Sequence, residues 1–198
     1  MTQLRQLYGA ASAARQGDCK ALKETLKNHP EAVHWSISDK QGEMTLLHLA
    51  AEKGHHKAVK LLLDKGSNPL RKNRRGVIAL SMAIDQGCQK SFELLLPVST
   101  ALINDCVAAD VAHKTRNCRP LWNAISGSFI PGITQLIEAG ADPHLPLCEG
   151  EASIFSVNMV QPDLPRARAM LEAISAREAM TLSQETPTVE RASRRYTL

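Results

Sequence analysis

The sequence predicts an all-α solenoid of helix–turn–helix units, and three observations lead there. First, residues 42–75 read as two short apolar helices, each followed by a glycine, Gly54 and Gly66. Glycine enters the left-handed conformation that ends a helix at little cost. Second, a shift of 33 residues lays Ile78 to Ile84 on Thr45 to Ala51, Gly87 on Gly54, and Leu94, Leu95 and Leu96 on Leu61, Leu62 and Leu63. Two helices this short cannot bury their apolar faces alone, so a recurring pair is expected to stack on its copies. Third, aromatic residues make up only 4% of a chain that is 43% hydrophobic. Leu, Ala, Ile and Val must therefore supply the core, which suits small helices in close contact.

At 198 residues the chain has room for one domain of ordinary size. The first unit, 5–38, carries Ala13, Ala14 and Gly17, followed by Leu22, Thr25 and Leu26 at helical spacing. Lys20, Lys23, Glu24 and Lys27 are left for water, as an N-terminal cap requires. From Gly17 to Gly54 the spacing is 37. The excess over the repeat falls between Val33 and Met44 and predicts an irregular hairpin-like finger.

In the repeat 42–73, Thr45 caps a helix of Leu46, Leu47, Leu49, Ala50 and Ala51. Val59, Leu61, Leu62 and Leu63 face inward from the second helix. The repeat 74–106 is degenerate, with Ile78 at the cap position. Losing that cap costs about 1 kcal/mol, so Ile78→Thr is expected to stabilise. From Leu80 to Leu121 the spacing is 41, which places an insertion near 97–118. Leu102, Ile103, Val107, Ala108 and Val111 there predict a lengthened second helix or an extra short one.

A repeat at 115–146 starts its first helix at Pro120, where the missing amide costs nothing, and ends in Gly140-Ala141-Asp142-Pro143. The unit 147–174 is expected to be a divergent C-terminal cap, with Ser153, Ile154, Phe155 and Val157 in one helix and Ala167, Met170, Leu171 and Ile174 in the other. Residues 175–198 are polar and aperiodic and are expected to form a disordered tail.

These residues resemble the ankyrin repeat, whose pattern is roughly G-x-T-P-L-H-x-A-A-x-x-G, then L-L-L and G-A-D. Thr45-Leu46-Leu47-His48-Leu49-Ala50-Ala51 with Gly54, and Pro120-Leu121-Trp122-Asn123-Ala124, carry the match. The resemblance covers about residues 5–174, strongly at 42–96 and 119–143. It implies about five repeats, including two divergent caps, joined by β-hairpin-like fingers. It also implies a protein-binding module without catalysis, and a structural role for His48, bonded to backbone between neighbouring turns. Ala79, Ser81 and Trp122 depart from the family's Pro and His positions.

The remaining chemistry offers little else. The net charge of +4 does not call for nucleic acid. No run of 18 apolar residues suggests a membrane span, and no signal peptide is legible, so a cytoplasmic location is expected. Five irregularly spaced cysteines read as reduced thiols. Cys106, His113 and Cys118 lack paired metal-ligand spacing, and neither metal nor cofactor is expected. His55 and His56 read as solvated turn residues. No phosphate loop, G-x-S-x-G or H-E-x-x-H occurs, and an enzyme would have to place its site in the 97–118 insertion.

The expected partner is a protein, met by a monomeric array through its concave face and fingers. Masking, tethering and inhibition all fit, as do a bacterial immunity protein or a secreted, host-directed effector. The positions that the resemblance points to are Met44, Glu52 and Lys53; then Arg74, Arg75, Val77, Asp85 and Gln86; then Arg116, Cys118, Trp122 and Ser126. Arg71, Lys72, Arg74 and Arg75 cluster between two repeats, where a finger is expected, and favour an acidic partner. A nucleic-acid interface would want stacking aromatics beside those cations, and the sequence puts none there.

Overall fold

The structure is a computed structural model that describes residues 2–39, 42–105, 119–145, 153 and 165–185. Two rows of helices run through it. The inner row is α1 (Thr2–Gln16), α3 (Leu46–Glu52), α5 (Ala79–Asp85) and α7 (Pro120–Ser126). The outer row is α2 (Cys19–Asn28), α4 (His56–Asp64), α6 (Gln89–Ser99) and α8 (Ile130–Glu138). Each inner helix packs on the next inner helix, and each outer helix on the next outer one. Every unit thus buries its apolar face against neighbours of its own shape, as a quasi-one-dimensional array must.

The inner helices are short and buried nearly all round. In α3, Leu46 through Ala51 are all buried, and so are Ala79 through Ile84 in α5. Small residues at Ala50, Ala51, Ala79 and Ala83 let the helices approach closely. The outer helices bury one face only, for example Ala58, Val59 and Leu62 in α4. Left-handed glycines reverse the chain between the rows at Gly17, Gly54 and Gly87. In the third full unit that conformation falls on Ser128, with φ 54°, immediately after Gly127.

Between α2 and α3 a 3-10 turn (Pro30–His34) leads into the hairpin β1 (Ser36–Asp39) and β2 (Gly42–Thr45). Its antiparallel register pairs Ile37 with Met44 and Ser38 with Glu43. Ile37 and Met44 turn inward and are buried, while Glu43 stays on the wet side. The hairpin is therefore pinned to the core by one cross-strand apolar pair. It is the finger expected between Val33 and Met44.

Three expectations change. The segment 71–75 forms no strand pair. It is a tight loop wound on Asn73, because that amide can satisfy two loop N–H groups itself. Ile78 does sit at the cap position of α5, but it is only 4% exposed, so it fills space as well as failing to cap. The C-terminal helix α9 (Pro165–Glu185) continues well past 175, where the sequence reading began a tail. It packs on α8 through Met170 and Ala173, and Arg177 donates to the carbonyls of Ile137 and Ala141. Residues 178–181 of the helix, beyond that tie, are exposed. Ala, Arg, Glu and Met keep it helical by propensity without leaving an apolar period to read.

In the insertion, α6 runs past Pro97, the position aligned with the last residue of α4, and a 3-10 turn (Thr100–Leu102) follows. Residues 106–118, most of 146–164, and 186–198 lie outside the described residues. Cys106, His113 and Cys118, Ile154, Phe155 and Val157 of the C-terminal cap, and the charged run near the C-terminus fall among them.

Candidate protein-binding face

The face that carries most of the expected binding positions is built on two polar anchors. The first is His48. Its Nδ1 accepts from the Thr45 hydroxyl at 2.7 Å and from the Thr45 backbone N–H at 3.3 Å, and its Nε2 donates to the Val77 carbonyl at 3.0 Å. Thr45 Oγ1 in turn accepts from the His48 N–H, closing a capping box. One ring nitrogen donates and the other accepts, so only a neutral imidazole satisfies the site. Burial, and then the nearby Arg71 charge, hold the His48 pKa below its usual 6.5, against the opposing pull of the Val77 carbonyl.

The second anchor is Asn73, which is buried. Its Oδ1 accepts from the N–H groups of Arg75 and Val77, both at 2.9 Å, and its Nδ2 donates to the sulfur of Met44 at 3.4 Å. The Asn73 N–H donates to the Val77 carbonyl that His48 also reaches. The loop is thus held against both the hairpin and α3.

From this frame the cations project. Arg71 reaches back to Glu43 on the hairpin at 2.8 Å and to the His34 carbonyl at 3.3 Å. Lys72 reaches forward to Asp105. Arg74 and Arg75 are exposed. The Glu43 carboxyl also accepts from Ser36 Oγ at 2.6 Å. That bond above all keeps its pKa below the usual 4.5, against an upward push from desolvation, and Arg71 adds to the lowering.

The other expected positions divide. Lys53, Asp85, Gln86 and Ser126 are exposed at the C-terminal ends of the inner helices. Glu52 is half-buried and pairs with Lys53 at 3.2 Å. Val77 and Trp122 are half-buried against the core. Met44 is wholly buried beneath the hairpin and drops out of the face: it packs opposite Ile37 and accepts from Asn73. Arg116 and Cys118 lie outside the described residues.

Glu43, Asp105 and Asn73 were not singled out in the sequence. An Asn inside a basic run is a turn former by type, and that was the available signal. His55 is likewise not merely solvated. Its Nε2 donates to the Arg15 carbonyl at 2.8 Å, and its ring lies 2.7 Å from where a Cβ on Gly17 would stand. Cys88, at the aligned position, repeats the tie to the Gly54 carbonyl through its thiol at 3.2 Å.

Residues 10–105 match the family described as ankyrin repeats (three copies). These residues are ankyrin repeats. Over 71 residues the chain is 45% identical to a transient receptor potential cation channel subfamily A member 1 homolog of Caenorhabditis elegans, covering 36% of this chain and 6% of that protein. Over 76 residues it is 38% identical to a probable E3 ubiquitin-protein ligase of Oryza sativa subsp. japonica, covering 38% of this chain and 15% of the relative. An E3 ubiquitin-protein ligase of Arabidopsis thaliana matches at 36% identity over 76 residues, again 15% of its length. The chain therefore spans a small fraction of these curated relatives. Ankyrin arrays generally mediate protein contact and are not catalytic in themselves. Among the described residues no His, Cys, Asp or Glu group could hold a metal ion, and no helix is long and apolar enough to cross a membrane.

Proposed function

We propose that this chain binds a partner protein across the hairpin, the 71–75 loop and the exposed ends of the inner helices, and by occupying it masks, tethers or inhibits that partner. The observation that carries the reading is the basic loop, whose backbone Asn73 and His48 hold in place, so that Arg71, Lys72, Arg74 and Arg75 project from a preformed frame. A preformed frame loses less freedom on binding, and clustered cations steer an acidic surface toward them. The channel and ligase activities of the relatives are not carried over, since the likeness is confined to a short stretch of repeats. An immunity protein or a secreted effector would use the same face.

The test is to recover a partner by affinity capture and measure its binding to a variant with Arg71, Lys72, Arg74 and Arg75 all replaced by Ser. The expected result is a slower association at low salt with an intact fold by circular dichroism. Unchanged affinity and association rate would move the site to the outer helices or the insertion.

A further inference from the structure

We propose that the 71–75 loop is an exchange site for an acidic segment of a protein partner, with Glu43 and Asp105 occupying Arg71 and Lys72 until the partner's carboxylates displace them. The inference rests on the reading of this loop as part of the binding face.

Three observations lead to it. Neither ion pair is buried: the side chains of Arg71 and Glu43 are 40% and 39% exposed, and those of Lys72 and Asp105 are 38% and 41% exposed. Pairs this wet are weak and readily exchanged. The two acids also come from opposite sides of the loop. Glu43 lies on the hairpin before it and Asp105 near the end of the repeat that follows, just after the 3-10 turn. An extended segment that replaced both would therefore run along the array from the hairpin to the end of the 74–106 repeat. Finally, the loop does not need either pair to keep its shape, because its backbone is held by Asn73 and by the His48 bond to Val77. Displacing the acids frees two cations without melting the platform.

The chemistry favours carboxylates over a nucleic acid. Carboxylates are what these cations already hold. Their neighbours in the chain, Leu70, Asn73, Gly76 and Val77, include no aromatic ring on which a base could stack, and an oligodeoxythymidine probe tests His34 and Trp35, beside the carbonyl that Arg71 reaches.

The experiment uses the full chain and three probes: a peptide of alternating Glu and Ser, the same peptide with Gln for Glu, and oligodeoxythymidine of matched charge. The loop variant combines Glu43→Gln with Asp105→Asn. A control variant combines Glu24→Gln with Asp64→Asn, making the same change in net charge away from the loop. The loop variant is expected to bind the Glu peptide about three- to tenfold more tightly than the parent chain at low salt, since two exposed competitors have been removed. The control is expected to gain less, and the Gln peptide to bind neither.

Equal tightening in both variants would reduce the effect to net charge and overturn the proposal. So would unchanged affinity in the loop variant, a Glu peptide that binds no form of the chain, or oligodeoxythymidine bound as tightly as the Glu peptide. The two readings fail separately. If the four-serine variant loses the recovered partner while the loop variant gains nothing, the face stands and the exchange falls. If the four-serine variant keeps full affinity, the face itself falls.

Discussion

In the helix pair α3–α4, Thr45 caps the inner helix, and His48 bridges it to the loop of the next unit. In the pair α5–α6 neither device exists. Ile78 and Ser81 stand at the aligned positions, Ile78 makes no side-chain cap, and the buried Ser81 hydroxyl finds no hydrogen-bond partner among the described residues. What the second pair has instead is bulk. Phe92 occupies the position of Val59, is fully buried, and meets Phe129 edge-on with ring centroids 5.3 Å apart. One backbone plan is thus held by a polar bridge in one unit and by aromatic packing in the next. Apolar area and hydrogen-bonded caps can substitute for each other only because each contributes on the order of 1 to a few kcal/mol.

The sharpest way to break this comparison is Phe92→Ala. It should cost about 3–5 kcal/mol, read as a lower denaturant midpoint. Val59→Ala should cost less, since it leaves a smaller cavity. Equal losses would mean that the aromatic pair compensates for nothing.

The polar side of the comparison is tested by Thr45→Ala, which should cost about 1 kcal/mol through the lost cap. Ile78→Thr, which the sequence alone expected to stabilise, should give no gain, because Ile78 is buried and its ethyl branch is lost as the cap is restored. A clear rise in midpoint for Ile78→Thr would show that the cap outweighs the packing.

The third unit extends the comparison to the turn. Ser128 holds the left-handed conformation that Gly54 and Gly87 hold in the other two full units. Ser128→Gly should relieve that strain and raise stability by about 1 kcal/mol. No change in thermal midpoint would mean that the turn relaxes around Ser128 at no cost.

The smallest effect is a pH dependence. His48 has its folded-state pKa lowered, chiefly by burial, so the unfolded chain takes up the proton first. The contribution is complete above the ordinary value of 6.5 and is lost as pH falls through the folded value. Between about pH 7 and about pH 5 the parent chain should lose more thermal stability than His48→Gln. Parallel slopes would show that the imidazole titrates alike folded and unfolded.

Period and residue type settled much of this protein in advance. The glycines at 33-residue spacing, the alanine pairs and the leucine triplets announced helical hairpins that must stack, because no other arrangement buries faces so short. Thr45 was legible because a cap is local, made within one turn of chain, and His48 because it stands at a position of the repeat pattern that the chain resembles. The excess residues before Met44 also announced a finger.

Tertiary structure decided what depends on residues far apart in the chain. Met44 belongs to the core because its register partner Ile37 faces inward, and a one-residue slip would have exposed it. Arg71 and Lys72 acquired carboxylates from Glu43 and Asp105, residues 28 and 33 positions away; the second separation equals the repeat period, but a period says which positions align and not which charges pair. His55 became a tie between units because the Arg15 carbonyl of the preceding inner helix stands opposite it. The extent of α9 was hidden for the opposite reason: with residues 175–181 exposed, that part needs helix formers but no apolar period. Periodicity reports which face is buried, and only the folded array decides which charges meet.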